Sequence, residues 1–379
     1  MSNVFNILLT NSSDIYGGGE FFVAELAKAL ATRGHHVWVS CRPENLLQGI
    51  CEKASVPTFP LEFPAKGQLL KFISTLKQFI GEYHIDIVHT NGNYDRTAGA
   101  FAAWRAGVGH VTNIHSLQSI EHNLTHRIRN KVFTDWFLAD GVRVKDLLVN
   151  HDHISASKVS VFYHGVNPEQ MRRDKKLRNA VRSEFQLDNE EIVIGNVARF
   201  VPMKGHQYLI NAFADVVKQS RNVRLLLVGD GELYKELVQL AQTLRITDKI
   251  IFAGFRDDLT ALYSAFDLYA HSSLEGGGET ISFAVQQALA QELPVVVTNV
   301  GDVSENVREG INGFVVPDRN SDALAEKLLL LVNNFLLRES MGKASRKYLL
   351  ERFTTEHMVV AVEAIYKNVL QARQLQEAK

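Results

Sequence analysis

Two cysteines, Cys41 and Cys51, are all that the 379 residues contain. This excludes a disulfide-stapled secreted scaffold. Neither cysteine sits in a Cys-x-x-Cys metal or redox pattern, so both are expected to be reduced thiols. Net charge is equally scarce: 41 Lys and Arg face 42 Asp and Glu, a formal charge of −1. Such a balance excludes a protein built chiefly to coat nucleic acid. No apolar run approaches the about 20 residues of a membrane span, and even Leu328 to Leu337 is broken by Asn333 and Asn334. The start, Met1-Ser2-Asn3-Val4-Phe5, has no basic n-region, and Ile7–Leu9 is too short for a leader. The expected location is therefore cytoplasmic, and the glycosylation-like triplets at Asn11 and Asn123 carry no weight. Repeats and low-complexity tracts are missing too. What remains, 46% hydrophobic and 22% charged residues, is a globular chain, and one domain per about 150 residues predicts two of them.

Short apolar runs rich in β-branched residues recur along the chain. The first series is Phe5–Thr10, Val37–Cys41, Ile85–Thr90, Val111–His115, Phe137–Ala139 and Val159–Tyr163. The second is Ile192–Val197, Arg224–Val228, Ile250–Ala253, Leu268–Ala270, Pro294–Thr298 and Phe314–Val316. Runs of this length read as buried strands. Helical spacing lies between them, as in Phe22, Leu26, Ala29 and Leu30, or Leu69, Phe72, Ile73, Leu76 and Ile80. Strand–helix alternation predicts an α/β protein with mostly parallel sheets. A charged stretch over 168–190, with Arg172, Arg173, Lys175, Lys176, Arg178 and Arg182, reads as a solvated linker or short surface helix. It separates residues 1–168 from 169–353. A helix over 354–379, with Met358, Val362, Ile365, Tyr366 and Leu370 on one stripe, is expected to pack back toward the first domain.

In doubly wound sheets ligands bind beyond the carboxyl ends of the strands, so polar residues there are the candidates. Gly17-Gly18-Gly19-Glu20 follows the first strand and opens a helix, a setting that suits a phosphate; a plain glycine turn is the other reading, because the spacing is not Gly-x-Gly-x-x-Gly. His115 ends the Val111 strand. Arg199 ends the Ile192 strand, and Lys204-Gly205 follows. A guanidinium fork and an ammonium five residues apart can converge on one anion. In Leu268–Pro294 a glycine-rich loop carries Glu275 and Glu279, and a helix beginning near Thr280, Ile281 and Ser282 carries Gln287. Glu279 and Gln287 are eight residues apart, a little over two turns, and so lie near one face. His122 and His126 have i, i+4 spacing but no third metal ligand to join them.

In this order, these segments resemble a GT-B glycosyltransferase of the retaining family 4 (group 1) type, along nearly the whole chain. Gly17-Gly18-Gly19-Glu20 matches that family's N-terminal glycine loop and His115 its cleft histidine. His164-Gly165-Val166-Asn167 is similar to its Asn-Gly-Val-Asp segment with both ends substituted. Arg199 with Lys204-Gly205 matches its diphosphate motif, Leu227-Val228-Gly229-Asp230-Gly231 its Val-Gly-Asp-Gly turn, and Phe252-Ala253-Gly254-Phe255 its base-proximal strand end. The family's Glu-x7-Glu pair falls on Glu279 and Gln287, so the second acid is an amide here. Anchoring on Glu275 instead would put Phe283 in the second position and require four extra helical residues.

The resemblance implies two Rossmann-like domains facing across a cleft, with acceptor binding in the first and a nucleotide sugar, UDP- or GDP-linked, in the second. It implies transfer of a hexosyl or N-acetylhexosaminyl group to a glycan or lipid-linked glycan, in surface polysaccharide or lipopolysaccharide synthesis. His115, Arg199, Lys204 and Glu279 would be catalytic. Gly17, Gly18, Gly19, Gly229, Phe255, Thr280, Ile281, Ser282 and Gln287 would bind the donor. Asn91, Asn93, Tyr94 and Arg96, after the Ile85 strand, would meet the acceptor. No cofactor and no metal are expected, since no Asp-x-Asp occurs and protein cations take the ion's place. The stretch His122–Trp136, with Arg127, Arg129, Lys131, Phe133 and Trp136, reads either as peripheral contact with the inner membrane or as an ordinary helix with a solvated basic face. Two other classes remain open: a sugar-nucleotide epimerase of the same fold, and a non-catalytic glycosyltransferase-like partner subunit. A dehydrogenase lacks its glycine fingerprint.

Overall fold

The structure, a computed structural model, describes residues 4–13, 17–63 and 69–377. Met1–Asn3, which entered the reading of the leader, and the last two residues of the C-terminal segment lie outside them. The chain forms two compact units, residues 1–165 with 355–379, and residues 166–354.

The first unit holds one six-stranded sheet. Its strands are β1 (Asn6–Thr10), β2 (His36–Ser40), β3 (Ile87–Thr90), β4 (Gly109–Ile114), β5 (Trp136–Ala139) and β6 (Val159–Val161), in the order β2-β1-β3-β4-β5-β6. All pairs are parallel. Every residue of β3 and β4 is buried, as expected of strands covered by helices on both faces. The C-terminal helix Thr355–Glu377 belongs to this unit. It buries Met358, Val362, Ile365, Tyr366 and Val369; Leu370, expected on that stripe, is only half-buried and Val369 takes its place. Polar ties add to the apolar contact. Glu363 accepts from Arg33 Nε (2.6 Å) and lies 3.0 Å from His35 Nε2, and the Tyr366 hydroxyl lies 2.7 Å from His89 Nδ1.

The second unit repeats the design with β7 (Ile192–Val197), β8 (Val223–Val228), β9 (Ile250–Phe252), β10 (Leu268–His271), β11 (Val295–Thr298) and β12 (Gly313–Val316). Their order is β12-β11-β10-β7-β8-β9, again all parallel. The core beneath one face is aliphatic and aromatic, with Leu209, Phe213, Leu225, Leu227 and Leu328 among its fully buried members.

Of the two readings of the basic stretch over 168–190, the short surface helix is the one observed, but its arginines are not all solvated. Residues Lys175–Glu184 form a helix, capped by Asp174, whose carboxylate accepts from Lys176 N and Leu177 N. Arg178 Nη2 and Arg182 Nη1 reach Asp267 at 2.8 and 3.4 Å. Arg173, Arg178 and Arg182 also donate to the carbonyls of Ser264, Ala265 and Phe266 at the end of the helix Leu259–Ala265. Cations belong at a helix C-terminus, where orphan carbonyls and the macrodipole favour them. The run is basic because it caps a neighbouring helix, and Arg182 is only 1% exposed.

Candidate active site

In the second unit the strand order reverses direction between β7 and β10, and a crevice opens at such a switch point. Arg199 leaves the end of β7. It is exposed, and its guanidinium makes no hydrogen bond or ion pair with any described residue, although its carbonyl accepts from Val201 N at 2.9 Å. Five residues on, Lys204 closes a short 3-10 turn, Pro202–Lys204. Its loop is fastened to the loop after β10: Ser272 Oγ donates to Lys204 O (2.9 Å) and Leu274 N to Met203 O (2.8 Å). Gly205 lies between them at φ +61°, and a Cβ there would strike the Ser272 carbonyl. Only glycine meets both demands.

This fastening brings Lys204 to Glu279. The ammonium donates to both carboxylate oxygens, at 2.8 and 2.7 Å, and His271 Nε2 lies 3.3 Å from Oε1. The Glu279 side chain is 8% exposed. Burial alone would raise its pKa; the Lys204 charge and the His271 contact outweigh burial and bring it down to about 2. Glu275, the rejected anchor, is exposed, and its carboxylate accepts from Gly301 N at 3.2 Å. Beyond Glu279, Thr280, Ile281 and Ser282 are buried. The helix follows as Phe283–Ala290, slightly later than expected, with Ser282 at its N-cap but making no side-chain cap. Gln287 is 6% exposed, and its amide makes no hydrogen bond with a described residue. A phosphate at this helix start would meet backbone N–H groups and a favourable dipole end.

Other donor candidates are placed differently. Gly229 (φ +143°) packs so that a Cβ would strike the Ala198 carbonyl, which seats the turn after β8 against the loop of Arg199. Its N–H already donates to Gly254 O at 2.9 Å. Phe255 is 71% exposed. In the first unit Gly17, Gly18 and Gly19 do start the helix Gly18–Thr32, but Glu20 folds back and its carboxylate accepts from Gly17 N at 2.8 Å. An acid of the chain itself thus occupies part of that helix start.

His115 follows β4, and its Nδ1 donates to Asp140 Oδ2 at 2.6 Å. His164 Nε2 lies 2.8 Å from the same oxygen, and Asn113 Nδ2 donates to Oδ1 at 3.1 Å. Asp140 is fully buried. Burial pushes its carboxyl up, yet the charges and hydrogen bonds of the two imidazoles hold it below the usual carboxylate range. Among the described residues His115, Asp140 and His164 form a group that could hold a metal ion. Both rings, however, address one carboxylate oxygen, an arrangement that fixes ring orientation. Asp140 and His164 were missed as site residues in the sequence, as were His271 and the buried His206, whose pKa burial, Lys204 and His271 lower to about 3. The strand-end rule carries the missing signal for two of them: Asp140 directly follows β5 and His271 is the last residue of β10.

Of the acceptor candidates, Asn93, Tyr94 and Arg96 line a cavity of about 920 Å³ in the first unit. Asn91 stands apart from it, 4% exposed, with Nδ2 donating to the carbonyls of Thr10 (3.3 Å) and His89 (3.1 Å). The stretch His122–Trp136 turns much of its basic and aromatic content inward. Arg129 is 2% and Phe133 9% exposed, and Trp136 starts β5 with its Nε1 donating to Ser160 Oγ (3.0 Å). Arg127 and Lys131 remain at the surface. No helix among the described residues is long and apolar enough to cross a membrane. Cys41 and Cys51 are free and buried.

Comparison with known proteins gives this geometry a context. Residues 16–170 match the model described as Glycosyltransferase Family 4, and residues 178–348 match Glycosyl transferases group 1. An N-acetyl-alpha-D-glucosaminyl L-malate synthase of Bacillus anthracis is 25% identical over 370 residues, covering 93% of this chain and 94% of that protein. A UDP-Gal:alpha-D-GlcNAc-diphosphoundecaprenol alpha-1,3-galactosyltransferase of Escherichia coli is 22% identical, covering 78% and 79%. Among solved structures, a glycosyltransferase from Rickettsia africae superimposes with a TM-score of 0.88 at 22% identity, over 97% of this chain and 99% of that one. The Anabaena protein HepE, solved in complex with UDP, gives 0.85 at 23%, over 96% and 100%. With two parallel six-stranded α/β units and both halves matched in order, the chain belongs to the group 1, family 4 glycosyltransferases and has the GT-B fold.

Proposed function

We propose that the chain transfers a hexosyl or N-acetylhexosaminyl group from a nucleoside-diphosphate sugar with retention of configuration, and that it does so without a divalent metal. The carrying observation is the switch point of the second unit. The Arg199 guanidinium is exposed and has no partner among the described residues, while Lys204 is locked on Glu279. An ammonium has three donors; two serve Glu279, and the third is left for a phosphate oxygen. In the proposed reaction an acceptor hydroxyl attacks the anomeric carbon on the face the diphosphate leaves. The carbon–oxygen bond to the diphosphate breaks, and the hydroxyl proton passes to the departing phosphate. Charge grows on that phosphate, and preorganised cations lower the barrier there.

Glu279 orients sugar hydroxyls beside Lys204, the amide of Gln287 meets the ribose, and His115, held by Asp140, orients the reacting sugar. The names of the relatives support a uridine nucleotide and an N-acetylhexosaminyl or hexosyl group, and relatives in capsule assembly support a role in surface glycan synthesis. The test is thermal shift and slow hydrolysis with a panel of UDP-, GDP- and ADP-sugars. A true donor raises the melting point by linkage and yields free nucleoside diphosphate. Isomerised sugar nucleotide without release would identify an epimerase; binding without any turnover would identify a partner subunit.

A further inference from the structure

Three neighbouring strands of the first sheet deliver three metal-ligating side chains to one point. His115 directly follows β4, Asp140 directly follows β5, and His164 lies just beyond β6. These strands pair in the order β4-β5-β6, so one rigid sheet edge carries all three side chains. His115 Nδ1 and His164 Nε2 lie 2.6 and 2.8 Å from the same oxygen, Asp140 Oδ2. The three ligand atoms lie within 4.8 Å of one another.

Orienting His115 needs only the first of these contacts. The second serves a ring that has no role in the proposed transfer. Position 164 is also where this chain departs from the Asn-Gly-Val-Asp segment of its family, with histidine in the place of asparagine. An asparagine amide could also donate to Asp140. What histidine adds is a nitrogen lone pair that binds a metal. Two imidazoles and one carboxylate from three loops are a donor set for zinc and its first-row neighbours.

The surroundings suit a bound ion. Asp140 is fully buried and His164 is 4% exposed, whereas the His115 side chain is 19% exposed. The His115 side therefore gives an ion access and leaves a fourth position to water. Asn113 Nδ2 donates to Asp140 Oδ1 at 3.1 Å, the kind of outer support that holds a ligating carboxylate. Phe22 backs both rings, with its centroid 5.3 Å from that of His115 and 4.9 Å from that of His164. Ligands about 2.0–2.2 Å from a tetrahedral zinc ion stand about 3.3–3.6 Å apart. Each ring would have to withdraw from Oδ2 by only about 0.5–1 Å.

We propose that His115, Asp140 and His164 form a site for a late first-row divalent ion, zinc foremost, and that filling it shuts the transferase off. The ion takes the place of the two hydrogen bonds to Oδ2. Any proton on a ligating nitrogen moves to the other nitrogen of its ring or to water, and the freed lone pair goes to the metal. His115 is then held on the ion and no longer orients the reacting sugar. The ion is a brake and takes no part in the transfer. The inhibition rests on the transferase reading above; the site itself does not.

The full chain is stripped with a chelator, then titrated with zinc by calorimetry and with cobalt by visible absorption. One ion per chain, a Kd at or below about 10 μM and the intense d–d band of four-coordinate cobalt are expected. His164→Asn should weaken zinc at least about 100-fold, since a lost ligand costs more than the about 10–100-fold of a lost outer partner. Because His164 is buried, NMR of the unaltered chain supplies a second measurement: the first equivalent of zinc should move the ring signals of His115 and His164. The competing site is the pair His122 and His126, whose rings lie 5.6 Å apart; their signals should stay, and His122→Ala should bind zinc unchanged. Bound zinc should cut transfer at least about tenfold, reversibly on adding chelator, and this cut should be missing in His164→Asn. No binding at millimolar zinc, binding that survives His164→Asn or vanishes in His122→Ala, or bound zinc with undiminished transfer overturns the proposal. A stripped chain that binds zinc as described yet transfers no sugar from any donor sinks the transferase reading and leaves the site standing.

Discussion

The ammonium of Lys204 lies 2.8 and 2.7 Å from the two carboxylate oxygens of Glu279, although 75 residues separate them. The Lys204 charge is a main reason that Glu279 stays ionised in a site that is largely closed to water. Removing either partner leaves an uncompensated charge, at a cost of about 3 kcal/mol or more. Lys204→Ala and Glu279→Gln should each lower transfer at least about 100-fold, the scale of one lost charge-stabilising contact. The double variant should be far less unstable than the two losses summed. Urea unfolding of the four proteins measures this coupling, and additive destabilisation would mean that the pair does not act as a unit.

The same contact sets a pH dependence. Glu279 has a folded pKa depressed to about 2 from an ordinary 4.5. Its contribution to stability is therefore complete above about pH 4.5 and disappears as pH falls toward the folded value, amounting to about 3 kcal/mol at most. Unfolding midpoints between pH 6 and about pH 3 should fall more steeply for the wild type than for Glu279→Gln. Parallel curves would show that the carboxylate is not held in this way.

Arg199 should behave oppositely. Its side chain is exposed and bonds to no described residue, so Arg199→Ala should change stability by no more than about 0.5 kcal/mol. Transfer should nevertheless drop at least about 100-fold. A loss of activity that tracks a loss of melting temperature would remove the residue from the site.

Asp140→Asn tests the histidine support. An amide cannot accept from both His115 Nδ1 and His164 Nε2 while keeping its contact with Asn113, and a buried donor is left facing a donor. A destabilisation of about 3 kcal/mol is expected, together with altered ring signals of both histidines by NMR. Because the folded carboxyl is depressed, this difference should be complete above about pH 4 and shrink progressively as pH falls toward the depressed folded value. Unchanged imidazole signals would show that Asp140 does not orient the rings.

Asp267→Ala addresses the basic stretch. Three arginines of residues 168–190 converge on that carboxylate, and its loss should destabilise the second unit by about 3 kcal/mol. UDP affinity of the folded fraction should be preserved. A neutral effect on stability would return the stretch to the solvated linker it resembles by composition.

All twelve strands were legible because a parallel strand buried on both faces must be a continuous apolar run, and β11, Val295-Val296-Val297-Thr298, can hardly be read otherwise. The strand-end rule likewise pointed to His115, Arg199, Lys204 and Glu279. It did not reveal that Lys204 and Glu279 neutralise each other, that Glu20 fills the start of its own helix, or that the arginines after Pro168 cap a helix some 90 residues away. Composition made Arg129 a surface charge, and packing made it a buried one. The difference has one physical origin. Hydrophobic periodicity is a property of neighbours along the chain, so the sequence by itself determined the strands, their order of appearance and the family. The pairing of charges depends on which loops meet in space and how much water they exclude, and that was decided only when the sheets assembled.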